Sequence, residues 1–370
     1  MVRTVAAVVE SCWHRVPGGT AAAAVRSLRA VQDLGDYRIR GLAAWHRHGP
    51  VLDELDGLEV VHLPLGRRLL YETWHDLRRP RFASKIGPVD LVHATGGVVP
   101  PAGGVPLVVT LYDLVFLDHP EFFTRQGVRF MTRGFQIART EADLIVVPSQ
   151  ATAEACRHAG IEPERIRVVP LGATPVPCSA QALAAVRDRY QLPDVFALWV
   201  GTTEPRKNLD RLVEAHRRAC PNLPLLLVGP NGWKTDTGAL HTGASKTGAS
   251  PAVRHLGRLP AADLAAVYEL ATALVYPSLL EGFGMPVLEA MAQGTAAITS
   301  IGTSTEEVAG DVGRLVDPTD VDALGEALAS VADNPGFWTA SGPAARARAA
   351  TMTWAATGCG LQRVYDEVLT

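Results

Sequence analysis

Short apolar runs alternate with longer stretches of mixed apolar and polar residues along most of the chain. Some runs contain no polar side chain, as in Phe-Ala-Leu-Trp-Val at residues 196–200 and Leu-Leu-Leu-Val at 225–228. Uninterrupted apolar strands are typical of parallel sheets that are covered by helices on both faces. The pattern therefore predicts an α/β fold. The predicted strands include residues 5–9, 37–44, 59–63, 107–111, 166–169, 196–200, 225–228 and 273–276.

The length of the chain predicts how these elements divide into domains. A chain of 370 residues with a hydrophobic fraction of 47% is enough for two packed cores. The proline- and alanine-rich stretch at 173–180 is the best linker candidate. We therefore predict a first domain at 1–172, a linker at 173–195 and a second domain from residue 196. A Gly-, Thr- and Ser-rich stretch at 231–250 is predicted to be a mobile loop.

Charge and cysteine content narrow the class of protein. The net charge of −3 argues against a nucleic-acid-binding protein, which would carry a strong basic excess. The five cysteines are scattered and lack C-x-x-C spacing, which favours reduced thiols in the cytoplasm over a disulfide scaffold or a zinc site. The first apolar run is too short for a signal peptide, and no run reaches the length of a transmembrane helix.

The most informative block lies between the predicted strand at 273–276 and a predicted helix at 286–293, with Glu281 in the loop and Glu289 in the helix. Glycines before a helix gather unpaired N–H groups at the positive end of its dipole, which suits a phosphate. Carboxylates accept hydrogen bonds from hydroxyl groups, which a sugar and a ribose supply. The block therefore predicts a cradle for a nucleotide-linked sugar, formed by Glu281, Gly282, Phe283, Gly284, Met285, Pro286 and Glu289.

A second block follows the strand at 196–200 and begins with Gly201. It continues to two adjacent cations, Arg206 and Lys207, at the entry of a predicted helix. Two adjacent cations at the carboxyl end of a buried strand are hard to explain as packing. They suit a diphosphate leaving group, whose negative charge grows as the sugar departs.

Both blocks resemble those of retaining glycosyltransferases, most closely glycosyltransferase family 4. Glu281 and Glu289, with seven residues between them, resemble the E-x7-E signature, and residues 201–209 resemble the family's pyrophosphate-binding segment. The resemblance implies the GT-B fold, in which two Rossmann-like domains have parallel sheets that face a cleft. It also implies a second domain at 196–352 and a last helix, at 353–370, that crosses back onto the first domain.

The resemblance also implies roles for residues in the first domain. The loop at Gly18 and Gly19 is expected to approach the donor phosphate or the acceptor. Independently of the resemblance, His93 lies near the end of a predicted strand, and open parallel sheets bind ligands outside the carboxyl ends of their strands, so His93 is expected to contact the donor. Tyr112 and Asp113 stand where family 4 members commonly carry His-Asp-Leu. Tyrosine can donate a hydrogen bond, but it is a poor proton shuttle near neutral pH.

Two sets of site residues follow from the blocks and the resemblance together. The predicted catalytic set is Glu281, Arg206, Lys207, Asp113 and Tyr112. The predicted donor-binding set contains the sugar-nucleotide cradle, the residues already named from the first domain, and glycines and a cation at the ends of further strands. These last members are Gly201, Gly229, Gly257 and Arg258, of which Gly257 and Arg258 are expected beside the base.

We therefore predict a retaining enzyme that moves a sugar from a GDP- or UDP-linked donor to a hydroxyl acceptor. The acceptor is a glycan, a lipid-linked molecule or a small molecule. GDP-mannose is the first choice of donor, because blocks of this kind recur in mannosyl-transferring relatives. No D-x-D motif lies near the site, so the Arg206–Lys207 pair is expected to supply the charge that Mg²⁺ otherwise would, with no metal or other cofactor. The alternatives are a sugar-nucleotide epimerase on the same architecture and a nucleotide-sugar-binding homologue that has lost catalysis.

One amphipathic segment bears on location. Residues 67–81 contain five arginines and Trp74. Such a segment suits an anionic membrane surface or an anionic acceptor, or else it is a solvated helix face. The cysteine pattern predicts a cytoplasmic protein, and this segment adds the hypothesis of peripheral contact at the inner face of the membrane.

Overall fold

The computed structural model describes residues 2–14, 18–52, 55–80, 82–230 and 252–370. The chain divides into two compact units. The first unit comprises Met1–Gly172 together with Thr353–Thr370, and the second comprises Ala173–Met352. The stretch predicted to be a mobile loop, 231–250, and the last arginine of the amphipathic segment, Arg81, lie outside the described residues.

The first unit is built on a parallel sheet, and its elements are numbered in chain order. The strands are β1 (Arg3–Val8), β2 (Tyr37–Trp45), β3 (Glu59–Gly66), β4 (Leu91–Ala94), β5 (Leu107–Thr110), β6 (Leu144–Val147) and β7 (Ile166–Val168). The helices are α1 (Gly19–Asp33), α2 (Arg67–Leu77), α3 (Ala83–Ile86), α4 (Val115–Asp118), α5 (Arg125–Glu141) and α6 (Gln150–His158), with the terminal helix α15 (Trp354–Val368). The strand order is β3-β2-β1-β4-β5-β6-β7, and every pair is parallel.

Strand β1 shows why this sheet must be covered on both faces. Successive side chains of a strand point to opposite faces. Ala6 and Val8 belong to one hydrophobic cluster, and Val5 and Ala7 belong to another. All four residues are buried, so the sheet carries a hydrophobic core on each face.

The terminal helix α15 completes one of these two cores. Leu361, Val364 and Tyr365 lie in the same cluster as Val5 and Ala7. The backbones of α15 and α1 approach so closely that a Cβ on Gly358 would lie 2.6 Å from the carbonyl oxygen of Ala30. The last helix of the chain is therefore an integral part of the first unit.

The second unit has the same kind of architecture. Its strands are β8 (Ala197–Val200), β9 (Leu225–Val228), β10 (Val253–Gly257), β11 (Ala273–Tyr276), β12 (Ala297–Ser300) and β13 (Arg314–Val316). Its helices are α7 (Ala180–Tyr190), α8 (Leu209–Ala219), α9 (Ala261–Leu270), α10 (Met285–Ala292), α11 (Ser304–Ala309), α12 (Val321–Asp333), α13 (Pro335–Ala340) and α14 (Gly342–Ala349). The parallel strands follow the order β10-β9-β8-β11-β12-β13. The order reverses direction between β8 and β11, and such a switch point is where open α/β sheets bind ligands.

The prediction of two Rossmann-like, parallel α/β sheets is confirmed. The segment predicted as a linker, 173–195, contains helix α7, which packs against α9 of the second unit. Arg189 and Tyr190 at the end of α7 both bond the carboxylate of Asp263, at 2.8 and 2.6 Å. Throughout the described parts of the chain, every helix is too short or too polar to cross a lipid bilayer.

Candidate functional site

Two loops meet at the switch point of the second unit, one after β8 and one after β11. The N–H of Leu279 donates to the carbonyl oxygen of Arg206 at 2.8 Å, which joins the two loops through their backbones. The buried amide of Asn208 donates to the carbonyl oxygens of Pro277 and Pro318, at 3.0 and 2.6 Å. Asn208 has a φ of 58°, a left-handed conformation that turns the chain from the β8 loop into α8. These bonds fix the two loops to each other.

Four charged side chains lie where the loops meet, and we call them the ion cluster: Glu204, Arg206, Lys207 and Glu281. The Arg206 guanidinium bonds Glu281 at 3.0 Å and Glu204 at 2.8 Å. The Lys207 ammonium contacts the other oxygen of Glu281 and the hydroxyl of Tyr276. The exposed fraction of these side chains ranges from 8% for the two glutamates to 19% for Arg206. The cluster holds two cations and two carboxylates.

Burial and charge act in opposite directions on the pKa of Glu281. Burial alone would raise this pKa, but the nearby charges of Arg206 and Lys207 outweigh it and lower the pKa to about 2. Burial lowers the pKa of Lys207, reinforced by Arg206 and opposed by Glu281. Burial and the charge of Glu281 raise the pKa of Tyr276 well above its usual value. Glu281 is therefore an ionised acceptor, and Tyr276 keeps a proton that it can donate to it.

Glycines form the edge of the sheet beside the ion cluster. Gly201 donates its N–H to Val228, and Gly229 donates its N–H to Gly257, both at 2.9 Å. Gly229 has a φ of 138°, and a Cβ there would overlap the carbonyl oxygen of Gly201. The three predicted glycines therefore lie together at the ends of β8, β9 and β10. Arg258, which follows β10, is exposed.

Helix α10 begins where the sequence predicts a phosphate-binding helix. Gly284 has a φ of 105°, and a Cβ on it would lie 2.7 Å from the side chain of Thr305. Glu289 is half-buried, and one of its oxygens accepts a hydrogen bond from the Tyr268 hydroxyl at 3.2 Å. Each glutamate of the E-x7-E pair is thus hydrogen-bonded to a different buried tyrosine, Glu281 to Tyr276 and Glu289 to Tyr268.

In the first unit, His93 and Tyr112 line one small cavity together with Ser27, Thr95 and Thr357. The ring nitrogens of His93 bond Tyr365 at 2.7 Å and Thr110 at 2.8 Å. Burial lowers the pKa of His93 to about 3, so the imidazole is neutral, and burial raises the pKa of Tyr112. The structure therefore brings these two predicted residues together in a setting of neutral hydrogen bonds.

The remaining first-unit residues have simpler surroundings. Asp113 accepts the N–H of Val115 at 3.3 Å, as in a turn that starts a helix. Gly18 is the N-cap of α1 and Gly19 is its first residue. Both glycines are exposed, and a Cβ on Gly19 would meet no atom of the described residues within 4 Å. Packing does not require a glycine at position 19, so its proposed approach to a ligand has to be tested by binding.

Several residues of the site were not predicted from the sequence. Glu204 lies within the block at 201–209, but nothing in its spacing indicates a role, and the hydroxyls of Tyr276 and Tyr268 fall in segments that otherwise suit apolar packing. The signal available for Tyr276 was its place at the last position of β11, next to a predicted site loop. A D-x-D sequence does occur at 320–322, but Asp320 caps α12 by accepting the N–H groups of Asp322 and Ala323, both at 2.9 Å.

Comparisons with known proteins agree with this architecture. The family description Glycosyltransferase Family 4 matches residues 17–175, and Glycosyl transferases group 1 matches residues 188–348. O-antigen chain mannosyltransferase B of Escherichia coli is 35% identical over 225 residues, which is 59% of this chain and 58% of that protein. The serotype-specific mannosyltransferase WbdA of Escherichia coli is 28% identical over 270 residues, 70% of this chain and 33% of that protein. The chain thus spans between a third and three fifths of the length of these relatives.

Solved structures share the fold. Sucrose-phosphate synthase of Thermosynechococcus elongatus has a TM-score of 0.78 at 21% identity, covering 99% of this chain and 98% of that chain. Anabaena HepE in complex with UDP and glucose has a TM-score of 0.76 at 18% identity, covering 99% of this chain and all of that one. The fold and the two family matches define a two-domain glycosyltransferase of the GT-B class. Within that class, the chain is similar to glycosyltransferase family 4 over residues 17–175 and to the group 1 glycosyl transferases over residues 188–348.

Proposed function

We propose that the protein transfers a sugar from a nucleotide-sugar donor to a hydroxyl acceptor and retains the anomeric configuration. The observation that carries the proposal is the buried ion cluster at the switch point of the second unit. Arg206 and Lys207 are the cations that would stabilise the diphosphate as the bond to the sugar breaks. Glu281 would accept hydroxyl groups of the sugar, and Glu289 would accept those of the ribose.

The low pKa of Glu281 bears on its role in transfer. A carboxylate with a pKa of about 2 is a weak base and stays ionised at neutral pH. It suits electrostatic stabilisation of a sugar ring that gains positive charge better than it suits proton transfer. This supports a front-face reaction, in which the departing phosphate itself assists the acceptor hydroxyl.

Mannose from GDP-mannose is the proposed donor group. The support is that both relatives described above are named mannosyltransferases. The fold relative HepE was solved with UDP and glucose, so UDP-glucose is the matched alternative donor. The proposed acceptor is a hydroxyl group of a glycan, of a lipid-linked molecule or of a small molecule.

Incubation with radiolabelled GDP-mannose, UDP-glucose and other nucleotide sugars tests the proposal. We expect slow hydrolysis or transfer from one donor, and NMR of the released sugar before it mutarotates should show the anomer of the donor. Inversion at the anomeric carbon would overturn the retaining assignment. Conversion of the donor to its epimer would identify an epimerase, and binding without turnover would identify a homologue that has lost catalysis.

The charge needed for transfer is proposed to come from protein side chains. Among the described residues, no group of three or more His, Cys, Asp or Glu side chains is placed to hold a metal ion. With Arg206 and Lys207 in the site, we expect activity to be unchanged after treatment with EDTA. Loss of activity in EDTA that Mg²⁺ or Mn²⁺ restores would show that a metal supplies this charge.

Peripheral membrane contact is proposed for the exposed face of α2. Arg67 and Arg68 are exposed, and so are Leu69 and Leu77, by 52% and 66%. Trp74, part of the amphipathic pattern, is instead fully buried, so the apolar part of the contact would come from the two leucines. We expect the protein to float with vesicles that contain anionic lipid, and Arg67→Glu with Arg68→Glu to abolish this. Equal flotation with neutral vesicles would contradict an electrostatic contact.

A further inference from the structure

The two cations proposed to hold the diphosphate are already paired with carboxylates. Arg206 lies between Glu204 and Glu281, and Lys207 contacts Glu281. The formal charges of these four side chains cancel. A diphosphate that approached this cluster would meet carboxylate oxygens as well as cations, and like charges at this range repel strongly when they are shielded from water.

Glu281 occupies the cations in the way that an anionic ligand would. One of its oxygens bonds the guanidinium of Arg206, and the other contacts the ammonium of Lys207. A carboxylate that uses both oxygens presents the same pair of acceptors as one edge of a phosphate group. The side chain of Glu281 therefore resembles an internal anion bound at the cationic site.

The backbone of Glu281 is fixed by hydrogen bonds, so an exchange of partners needs only its side chain to move. Its carbonyl oxygen accepts the Ser304 hydroxyl at 2.8 Å, and Leu279, two residues earlier, donates its N–H to the carbonyl oxygen of Arg206. The Tyr276 hydroxyl contacts both Lys207 and Glu281, so it can remain with Lys207 if the carboxylate turns away. Rotation about the side-chain bonds of Glu281 would free both cations without moving the loop.

We propose that the Glu281 carboxylate fills the Arg206–Lys207 site in the free protein, and that the diphosphate group of the nucleotide replaces it. This inference rests on the proposed function, because it takes a nucleoside diphosphate as the ligand of the second unit. The replaced carboxylate becomes available to accept hydrogen bonds from the hydroxyl groups of the sugar. Binding of the leaving group and orientation of the sugar are thereby coupled through one side chain.

The proposed exchange and a role in sugar binding alone predict different effects of Glu281→Gln on nucleotide affinity. A glutamate that contacts only the sugar should not affect the affinity for free nucleotide, so Glu281→Gln would leave that affinity nearly unchanged. If Glu281 competes with the diphosphate, Glu281→Gln removes the competing charge and keeps the size of the side chain, while only one of its two terminal atoms can still accept a hydrogen bond. We expect Glu281→Gln to bind the free nucleoside diphosphate about tenfold more tightly, even though it transfers sugar more slowly.

Isothermal titration with GDP and with UDP tests the proposal in the full-length protein. Glu289→Gln is the matched control, because it also removes a carboxylate of the E-x7-E pair but one that is bonded to Tyr268. It should not tighten binding. Glu281→Asp, which keeps the buried charge, is a second variant in case Glu281→Gln does not fold. Its shorter side chain weakens the pairing with the cations, so we expect an intermediate gain in affinity.

The outcomes separate this inference from the proposed function. Tighter binding by Glu281→Gln or by Glu281→Asp, but not by Glu289→Gln, supports the exchange. If the unchanged protein binds nucleotide and the two Glu281 variants bind it equally or more weakly, the exchange is wrong and the proposed function stands. If neither the unchanged protein nor any variant binds GDP or UDP, both are wrong.

Discussion

The sheets of the two units have the same strand order up to the sixth strand, yet they carry different chemistry at the switch point. After β8 and β11 of the second unit, two carboxylates are paired with a guanidinium and an ammonium. After β1 of the first unit, the buried carboxylate of Glu10 accepts the N–H of Ala44 at 2.6 Å and bonds the ring of His46 at 2.8 Å. His46 in turn stacks on Trp13, with ring centroids 4.9 Å apart.

The difference shows that strand order places a site but does not choose its chemistry. Both sheets deliver polar groups to the carboxyl edge of their strands, as the topology requires. The loops then decide what those groups are. The second unit presents a guanidinium and an ammonium group, which suit a diphosphate, whereas the first presents the Glu10 carboxylate together with imidazole and indole groups. This contrast is consistent with a donor phosphate bound by the second unit.

The largest test of this contrast removes one of the cations of the second unit. Lys207→Ala should reduce the stabilisation of the transition state by ~2–4 kcal/mol, and turnover should fall accordingly. This is the loss found when one preorganised stabilising group is removed. Steady-state rates with the donor identified by the panel measure this. Arg217→Ala, on an exposed Arg–Glu pair of α8, is the matched control and should have little effect. A folded Lys207→Ala protein with nearly normal turnover would show that the cluster does not carry the reaction.

A smaller test separates the two tyrosine–glutamate pairs within the second unit. Tyr276→Phe removes a hydroxyl that contacts Lys207 and Glu281. We expect it to reduce transition-state stabilisation by ~1–2 kcal/mol, seen mainly as a lower kcat. Tyr268→Phe removes the hydroxyl that bonds Glu289, and it should mainly raise the KM for the donor. The same change in kinetics from both substitutions would mean that the two glutamates do not have separate roles.

The smallest expected effect is on how the stability of the folded protein depends on pH. Burial lowers the pKa of His93 to about 3 from an ordinary value of 6.5, so below pH 6.5 the unfolded chain binds a proton that the folded first unit does not. Stability from this source is complete above about pH 6.5 and is lost as the pH falls toward 3. The pKa of Glu281 is also lowered, to about 2 from 4.5, so its contribution is lost only below about pH 4.5. His216 of the second unit has its pKa lowered by burial as well.

Thermal melting at pH 7.5 and pH 5.5 checks the contribution of His93. Between pH 7.5 and pH 5.5, the melting temperature of His93→Gln should fall less than that of the unchanged protein, by a few degrees. His158→Gln, at a histidine whose side chain is 79% exposed, is the matched control and should behave like the unchanged protein. An equal loss in all three proteins would show that His93 titrates alike in the folded and unfolded states.

The meeting of Arg206, Lys207 and Glu281 could be anticipated from the sequence for a physical reason. Each residue follows an apolar strand, and parallel strands that are neighbours end at the same edge of a sheet. The pairing of Arg206 with Glu204, and of Glu281 with both cations, depends on side-chain directions that no spacing encodes. The sequence therefore predicted where these residues lie, but it did not predict that they neutralise one another.

Contacts between residues far apart in the chain also limited what could be predicted from the sequence. His93 bonds Tyr365, a residue 272 positions later in the chain, and no local pattern predicts that partner. Trp74 is a case in which two readings of one pattern compete. An amphipathic segment with an aromatic residue suits a membrane face, but the same spacing also suits a helix that packs its aromatic residue into a core, and the structure shows the second.

The place of α15 in the first unit has a consequence for protein synthesis. Leu361, Val364 and Tyr365 complete one core of the first unit, although they are translated after the whole of the second unit. The second unit is contiguous in sequence, so it needs no later segment of the chain to complete its core. The first unit, although its strands emerge earliest, has to wait with one face of its sheet incompletely covered until residues 353–370 leave the exit tunnel.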